Sequence, residues 1–266
     1  MFYGESMLDY TITVVAYRNY GDIKEALKSL EDFTSADIKY LVYIIDNSCL
    51  DSSSEERSDF IKEVQKYENV RYIDAKENLG FGKGHNYQMK YLDSRLHLIM
   101  NPDILLTEDS LSVLKEFMQD DTIGMCVPKL IDEQGVLLQV YRRELTVFDL
   151  FVRMFAKNIF KKRFAYHTMQ DADYTKPMQV PFAQGSFLVI RTELYKQLEG
   201  FDDQFFMYME DADLCKRVNQ ISRLMYCPKT AVIHKWEKGS HKSAKLLKYH
   251  LRSMILYFHK WGWKFS

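Results

Sequence analysis

At 266 residues and 47% hydrophobic content the chain can bury a full core, as one large α/β domain or two small ones, and its formal net charge of −1 gives no global reason to expect nucleic acid as a partner. Cys49, Cys126, Cys215 and Cys227 are scattered without a C-x-x-C pair, which points to a reduced, cytoplasmic compartment and no disulfides. Glu5 and Asp9 stand where a basic-then-apolar leader would be, and no run of about 18 uncharged apolar residues occurs, so neither secretion by that route nor a membrane span is expected.

Apolar runs alternate with helical patterns, the signature of βαβ units. Strands are expected over 11–16, 40–45, 70–74 and 96–100, separated by helices over 22–32, 55–67 and 83–92. Residues 1–103 therefore read as a nucleotide-binding, parallel-sheet half. Beyond them come a helix near 110–120, short strands near 123–127 and 187–190, and a loop-rich basic stretch between, a looser grammar that suits an acceptor half over 104–240. No repeat or low-complexity linker divides the halves, so one continuous sheet is expected within a single domain over 1–240. An amphipathic basic helix over 241–266 follows it.

Three strand ends of the first half carry distinctive residues: Tyr17-Arg18-Asn19, Asp46-Asn47-Ser48, and Asn78-Leu79-Gly80-Phe81-Gly82-Lys83-Gly84. In a parallel sheet they converge on one edge, where open α/β sheets bind ligands. Glycine lets backbone approach a ligand closely, and an aromatic or guanidinium beside a carboxylate suits a nucleobase. The glycine run is not a G-x-G-x-x-G fingerprint, because His85 holds the third position, and it is not a Walker loop. Each segment also has the composition of an ordinary turn opening a helix.

Two acidic segments follow hydrophobic runs. Asn101-Pro102-Asp103 succeeds residues 96–100; its residues are turn formers, but Asp103, fixed by Pro102 at a strand end, suits Mg²⁺ or Mn²⁺ held against substrate phosphates. Such an ion neutralises charge on a departing diphosphate. Glu210-Asp211-Ala212-Asp213 succeeds Phe205-Phe206-Met207-Tyr208-Met209. Acids in the first turn of a helix satisfy free N–H groups and the dipole, and Asp213 with Arg217 makes an i,i+4 ion pair, a structural role. Asp211 is different, because the aromatic loop would deliver it into a partly dry pocket where desolvation makes a carboxylate a better base.

In this order the motifs resemble the family 2 inverting glycosyltransferases of the A-type fold, from about residue 10 to 240. The landmarks are the strand 13–17, Asp46-Asn47-Ser48, Asn78-Leu79-Gly80-Phe81 with Asn86, Asn101-Pro102-Asp103, the segment 185–191, Gly200-Phe201-Asp202 through Leu214, and Val232-Ile233-His234 before Gly239-Ser240. The resemblance implies an α/β fold with a Rossmann-like, mostly parallel sheet flanked by helices. It also implies nucleotide contacts from Tyr17, Arg18, Asp46, Asn78, Gly80, Asn86 and Asn101, and Mn²⁺ or Mg²⁺ at Asp103 with His234. Gly185, Ser186 and Glu210 would line the acceptor or sugar pocket, and Asp211 would be the base. Asn101 departs from the family's usual Asp-x-Asp. The nearest approach to the processive Q-x-x-R-W, at Gln220 to Arg223, lacks the tryptophan, which implies single-sugar addition.

From His234 to Ser266 eight Lys/Arg stand against Glu237 alone. Leu247, Leu251, Met254, Phe258 and Trp261 form an apolar stripe beside Lys245, Lys248 and Arg252; Phe148, Phe151, Phe155 and Ile159 form another beside Arg153, Lys157, Lys161, Lys162 and Arg163. These stripes suit core or homodimer packing, or a peripheral contact with the anionic inner face of the cell membrane. The tail is similar to bacterial rhamnosyltransferases of surface polysaccharide. The resemblance implies an inverting transferase moving one sugar, L-rhamnose from dTDP-rhamnose, onto a saccharide or lipid-linked saccharide acceptor in capsule or cell-wall synthesis. A UDP-hexose transferase of the same fold is the first alternative. A sugar nucleotidyltransferase would need a Gly-rich, Lys/Arg-bearing loop after the first strand, and a non-enzymatic polysaccharide-binding partner would turn over no donor.

Overall fold

The computed structural model describes residues 7–51, 54–235 and 244–266. In chain order it contains β1 (Leu8–Ala16), α1 (Tyr20–Phe33), β2 (Tyr40–Asp46), α2 (Glu55–Val64), β3 (Val70–Asp74), α3 (Gly80–Asn86), β4 (Ser94–Met100), β5 (Ile104–Leu106), α4 (Ser110–Phe117) and β6 (Ile123–Ile131). There follow β7 (Tyr141–Arg142), α5 (Val147–Phe151), a π-helical turn at Val152–Ala156, α6 (Lys161–His167), β8 (Met178–Gln179), β9 (Phe182–Ala183), β10 (Phe187–Arg191), α7 (Thr192–Gln197), α8 (Glu210–Ile221), β11 (Arg223–His234) and α9 (Ala244–Trp261).

The strand order of the main sheet is β3-β2-β1-β4-β10-β6-β11-β5, with β8 added on β11. β1 to β4 are mutually parallel, so both sheet faces are covered by the crossover helices and the strands read as near-continuous apolar runs. Tyr10, Ile12, Val14 and Ala16 of β1 and Leu96, Leu98, Ile99 and Met100 of β4 lie in the core. β10 runs antiparallel between β4 and β6, and β11 runs parallel to β6. The sheet is continuous, mostly parallel and flanked by helices, as expected.

Helix starts follow capping chemistry at Ser54, Asp109 and Thr146, whose side chains accept from backbone N–H groups of the first turns of α2, α4 and α5. Two elements depart from the sequence expectation. The helix expected over 83–92 begins at Gly80 and stops at Asn86, giving way to a 3₁₀ turn at Met89–Tyr91. A Cβ on Gly84 would lie 2.8 Å from Val15, and one on Gly82 2.9 Å from Phe201, so these glycines are packing residues of a helix pressed on the sheet. Second, β11 runs from Arg223 to His234, outside the expected strands, because a register shift between Cys227 and Ala231 absorbs Pro228 and Lys229, which break the apolar pattern.

Candidate active site

The chain builds β1, β2 and β3 outward in one direction and then crosses back to place β4 on the other side of β1. That reversal opens a crevice at the carboxyl ends of β1 and β4. Because β10 is antiparallel to β4, its start meets the end of β4, with Phe187 opposite Met100. The edge is stitched by hydrogen bonds between loops. Arg18 N–H donates to Ser48 Oγ (2.8 Å), Asn47 Nδ2 to the Gly80 carbonyl (2.8 Å), and Phe81 N–H to the Phe206 carbonyl (3.1 Å). Asn101 N–H donates to the Ser186 carbonyl (2.8 Å) and Gly185 N–H to Asp211 Oδ2 (3.2 Å).

Tyr17 is exposed at this edge, with the Arg18 guanidinium 5.9 Å from its ring centre. Asp46 is buried: its Oδ2 accepts from the phenols of Tyr20 (2.7 Å) and Tyr72 (2.5 Å) and its Oδ1 from Ser48 N–H (2.9 Å). Asn78 caps the next loop by accepting from Gly80 N–H (3.0 Å), and it lines a cavity of about 300 Å³ with Lys83, Phe206, Tyr249 and Arg252. Gly80 is at φ +78°, and a Cβ there would sit 2.1 Å from the Phe206 carbonyl oxygen, so only glycine lets the acidic loop dock here. The structure gives Asn86 a part other than the expected nucleotide contact. Its Nδ2 donates to the Phe201 carbonyl and to Asp203, and its Oδ1 accepts from Tyr195 and Phe201 N–H. Its amide is saturated and clasps the turn before the acidic loop.

Asp103 and His234 meet because β11 pairs antiparallel with β5, His234 opposite Ile104, and Lys235 N–H donates to the Asp103 carbonyl (3.0 Å). His234 Nε2 lies 3.2 Å from Asp103 Oδ2, while Asp103 Oδ1 and the nearby Asn101 Oδ1 are buried without a hydrogen-bond partner among the described residues. One carboxylate and one imidazole with a spare buried oxygen fit a divalent cation whose remaining positions go to phosphate oxygens and water. Among the described residues no group of three or more His, Cys, Asp or Glu forms a complete protein cage.

Asp211 stands in the first turn of α8, its Oδ1 accepting from Ala212 N–H (2.8 Å). Burial pushes its carboxyl above the ordinary range, against the pull of the Arg142 guanidinium and the Gly185 N–H. Glu210 is buried beside it, with Oε2 unpartnered among the described residues; burial first, and then the charge of Asp211, push it well above the usual range. Tyr208 and Met209, just before them, both take left-handed backbone (φ 70° and 68°). Such strain in non-glycine residues is characteristic of functional loops. Asp213 is structural, as expected: it pairs with Arg217 Nε (2.7 Å) and also receives Trp261 Nε1 (2.9 Å) and Lys260 (2.7 Å) from α9.

Two arginines escaped the sequence reading. Arg142 on β7 lies across from Phe182 on β9, its guanidinium 4.8 Å from that ring. Arg153, expected among the outward cations of the second stripe, instead lies within electrostatic reach of Asp211, carried there by the π-helical turn. Burial pulls Arg142 down to about 9, which leaves it charged at neutral pH, and lowers Arg153 as well. Their only sequence signal was the basic character of the loop-rich stretch.

The stripes divide. In α9, Phe258 is buried and Trp261 and Met254 pack on the core, whereas Leu247, Leu251 and Ile255 are exposed; in the second stripe Phe151, Phe155 and Ile159 are exposed. No helix among the described residues is long and apolar enough to cross a membrane. Gly239-Ser240, Glu237, Lys238 and Lys242 lie outside the described residues.

The profile of the family described as Glycosyl transferase family 2 matches residues 11–199. The chain is 26% identical over 258 residues to the rhamnosyltransferase WbbL of Escherichia coli (strain K12), spanning 92% of this chain and 91% of that protein. It is 25% identical over 238 residues to the N-acetylglucosaminyl-diphospho-decaprenol L-rhamnosyltransferase of Mycobacterium tuberculosis, spanning 84% of this chain and 75% of that protein. Among solved structures it resembles GalNAc-T7 with UDP, GalNAc and Mn²⁺ (TM-score 0.65, 15% identity, 94% of this chain and 48% of that one). It also resembles the mannosyltransferase PcManGT of Pyrobaculum calidifontis with GDP-Man and Mn²⁺ (TM-score 0.63, 14% identity, 94% and 63%). The chain spans about half and under two thirds of these two structures, and the likeness is one of fold.

Proposed function

Since the chain belongs to glycosyl transferase family 2 and is a glycosyltransferase, we propose that it transfers one L-rhamnosyl residue from dTDP-rhamnose, with inversion, to a saccharide carried on a lipid diphosphate in surface-polysaccharide assembly. The observation that carries the chemistry is the bridge Asn101–Ser186–Gly185–Asp211, which ties a carboxylate of raised pKa to the same crevice as the Asp103–His234 pair. The rhamnosyl donor and the acceptor class are supported by the two relatives.

In this mechanism Tyr17 and Arg18 hold the nucleoside at the crevice edge, and Asp46 keeps the strand end on which they rest. Asp103 and His234 would hold Mn²⁺ or Mg²⁺, which supplies positive charge to the departing diphosphate. Asp211 accepts the proton of the acceptor hydroxyl while that oxygen attacks the anomeric carbon in one displacement. Glu210, raised more strongly than Asp211, takes a proton in preference to it, which favours Asp211 as the anion of the pair. Gly185 N–H and Ala212 N–H fix the orientation of the base. The exposed aromatics of the second stripe and the exposed lysines Lys157, Lys161 and Lys162 support a resting place on an anionic leaflet, where such an acceptor resides.

The test is release of nucleoside diphosphate from a panel of sugar nucleotides, with Mn²⁺ and a polyprenyl-diphosphate GlcNAc acceptor. We expect dTDP-rhamnose to turn over fastest. Preferred turnover of a UDP-hexose would replace the donor, and absence of turnover with every sugar nucleotide would overturn the reading.

A further inference from the structure

Arg142 and Arg153 are two half-buried positive charges near the base that the transfer step does not use. Among the described residues neither has a carboxylate at ion-pair distance, and Arg142 Nε is buried with no hydrogen-bond partner. The neighbouring acid Asp149 is already taken in a two-pronged contact by Arg163, at 2.6 and 2.8 Å. Asp211 offsets their charge only from a distance, and half-buried guanidinium groups with no carboxylate at ion-pair distance are well placed to take an anionic ligand. The elements that carry them are specific. The β7–β9 pair fixes Arg142 on the Phe182 ring and leads directly into Gln184 and Gly185, which holds Asp211. The π-helical turn holds Arg153 half-buried within electrostatic reach of Asp211, while Phe151 and Phe155, with ring centres 5.8 Å apart, stay on the outer surface. π-Helical turns of this kind recur at functional sites.

We propose that Arg142 and Arg153 form the cradle for the diphosphate of a lipid-linked acceptor, with the lipid leaving over the outward face of Phe151, Phe155 and Ile159. The site rests on the acceptor class proposed above, yet it makes its own demand: the anion belongs to the acceptor, because the donor's diphosphate has Asp103 and His234. A planar guanidinium takes phosphate oxygens in pairs, so two of them set the depth at which the acceptor sugar presents its hydroxyl to Asp211.

The experiment measures binding by calorimetry, without donor, of farnesyl diphosphate and of uncharged farnesol to the full chain and to Arg142→Gln and Arg153→Gln, with dTDP binding and thermal unfolding measured alongside. We expect the unaltered protein to prefer the diphosphate, and each variant to lose roughly tenfold or more of its affinity for it, as removal of a charge-assisted contact does, while dTDP affinity holds. If the glutamine variants do not fold, Arg153→Lys keeps the charge without the fork and should lose part of the preference. Equal binding of farnesol and farnesyl diphosphate, retained affinity in the variants, or a parallel loss of dTDP binding would overturn the cradle. No preference of the unaltered protein for farnesyl diphosphate alongside normal dTDP-rhamnose turnover condemns the cradle alone; the expected binding pattern without turnover condemns the proposed transfer alone.

Discussion

Asp103 and His234 are 131 positions apart and reach one another only through the short antiparallel pairing of β5 with β11. Asp103 sits at a strand end and outside the core, so Asp103→Ala should fold normally and lose the Mn²⁺-dependent thermal shift seen with dTDP; an unchanged shift would remove it from the metal site. Glu210 gives a prediction with a definite sign. Its folded pKa is raised, so the native state holds the proton longer than the unfolded chain, and its stabilising share is full below about pH 4.3 and falls away as pH rises through the folded value. Glu210→Gln should therefore unfold at nearly the same temperature as the parent in acid and at a higher temperature at alkaline pH. A uniform shift at all pH values would contradict the buried, protonated acid. At this scale the sequence announced the acids and the turns by their chemistry. It could not announce Arg142, Arg153 or the saturation of Asn86, because those depend on which loops meet in space.

Among the elements, α9 shows how a periodic stripe can be read correctly and placed only by packing. Its apolar spacing is visible in the sequence, but the stripe divides between core and solvent because Tyr257 and Phe258 turn inward and Ser253 Oγ donates to the Met207 carbonyl of the acidic loop (2.8 Å). Tyr208 stacks on His250 and Phe206 meets Tyr249 at a tilt, so the helix is a strap over the segment that delivers Asp211. Trp261→Phe keeps a ring and deletes the N–H to Asp213, which should cost about 1–2 kcal/mol in urea unfolding. No loss of stability would mean that the strap does not bear on α8. β11 was not among the expected strands, since Pro228 and Lys229 disguise a strand that a bulge makes continuous.

For the whole molecule, the parallel half was legible because doubly covered strands leave long apolar runs, and the convergence of their ends followed from sheet topology. The antiparallel insertion of β10 was not, since a five-residue apolar run carries no direction. The second stripe leaves Phe151, Phe155 and Ile159 exposed together with Lys157, Lys161 and Lys162. We expect the protein to sediment with anionic vesicles, not neutral ones, and to be released by salt, because exposed attractions are screened beyond about 8 Å at physiological ionic strength. Equal partitioning to both, or none, would return the stripes to packing between copies of the chain.

The central claim is that Asp211 removes the acceptor proton, and it is tested most directly by comparing donor binding and transfer rate in Asp211→Asn. Asparagine keeps the shape and still accepts from Gly185 N–H and Ala212 N–H, so donor affinity and folding should hold. Loss of a general base lowers the rate by about 10²- to 10⁴-fold, and we predict transfer at no more than about a hundredth of the parent rate. Near-parental turnover by Asp211→Asn would contradict the account and move the base elsewhere in the acidic segment.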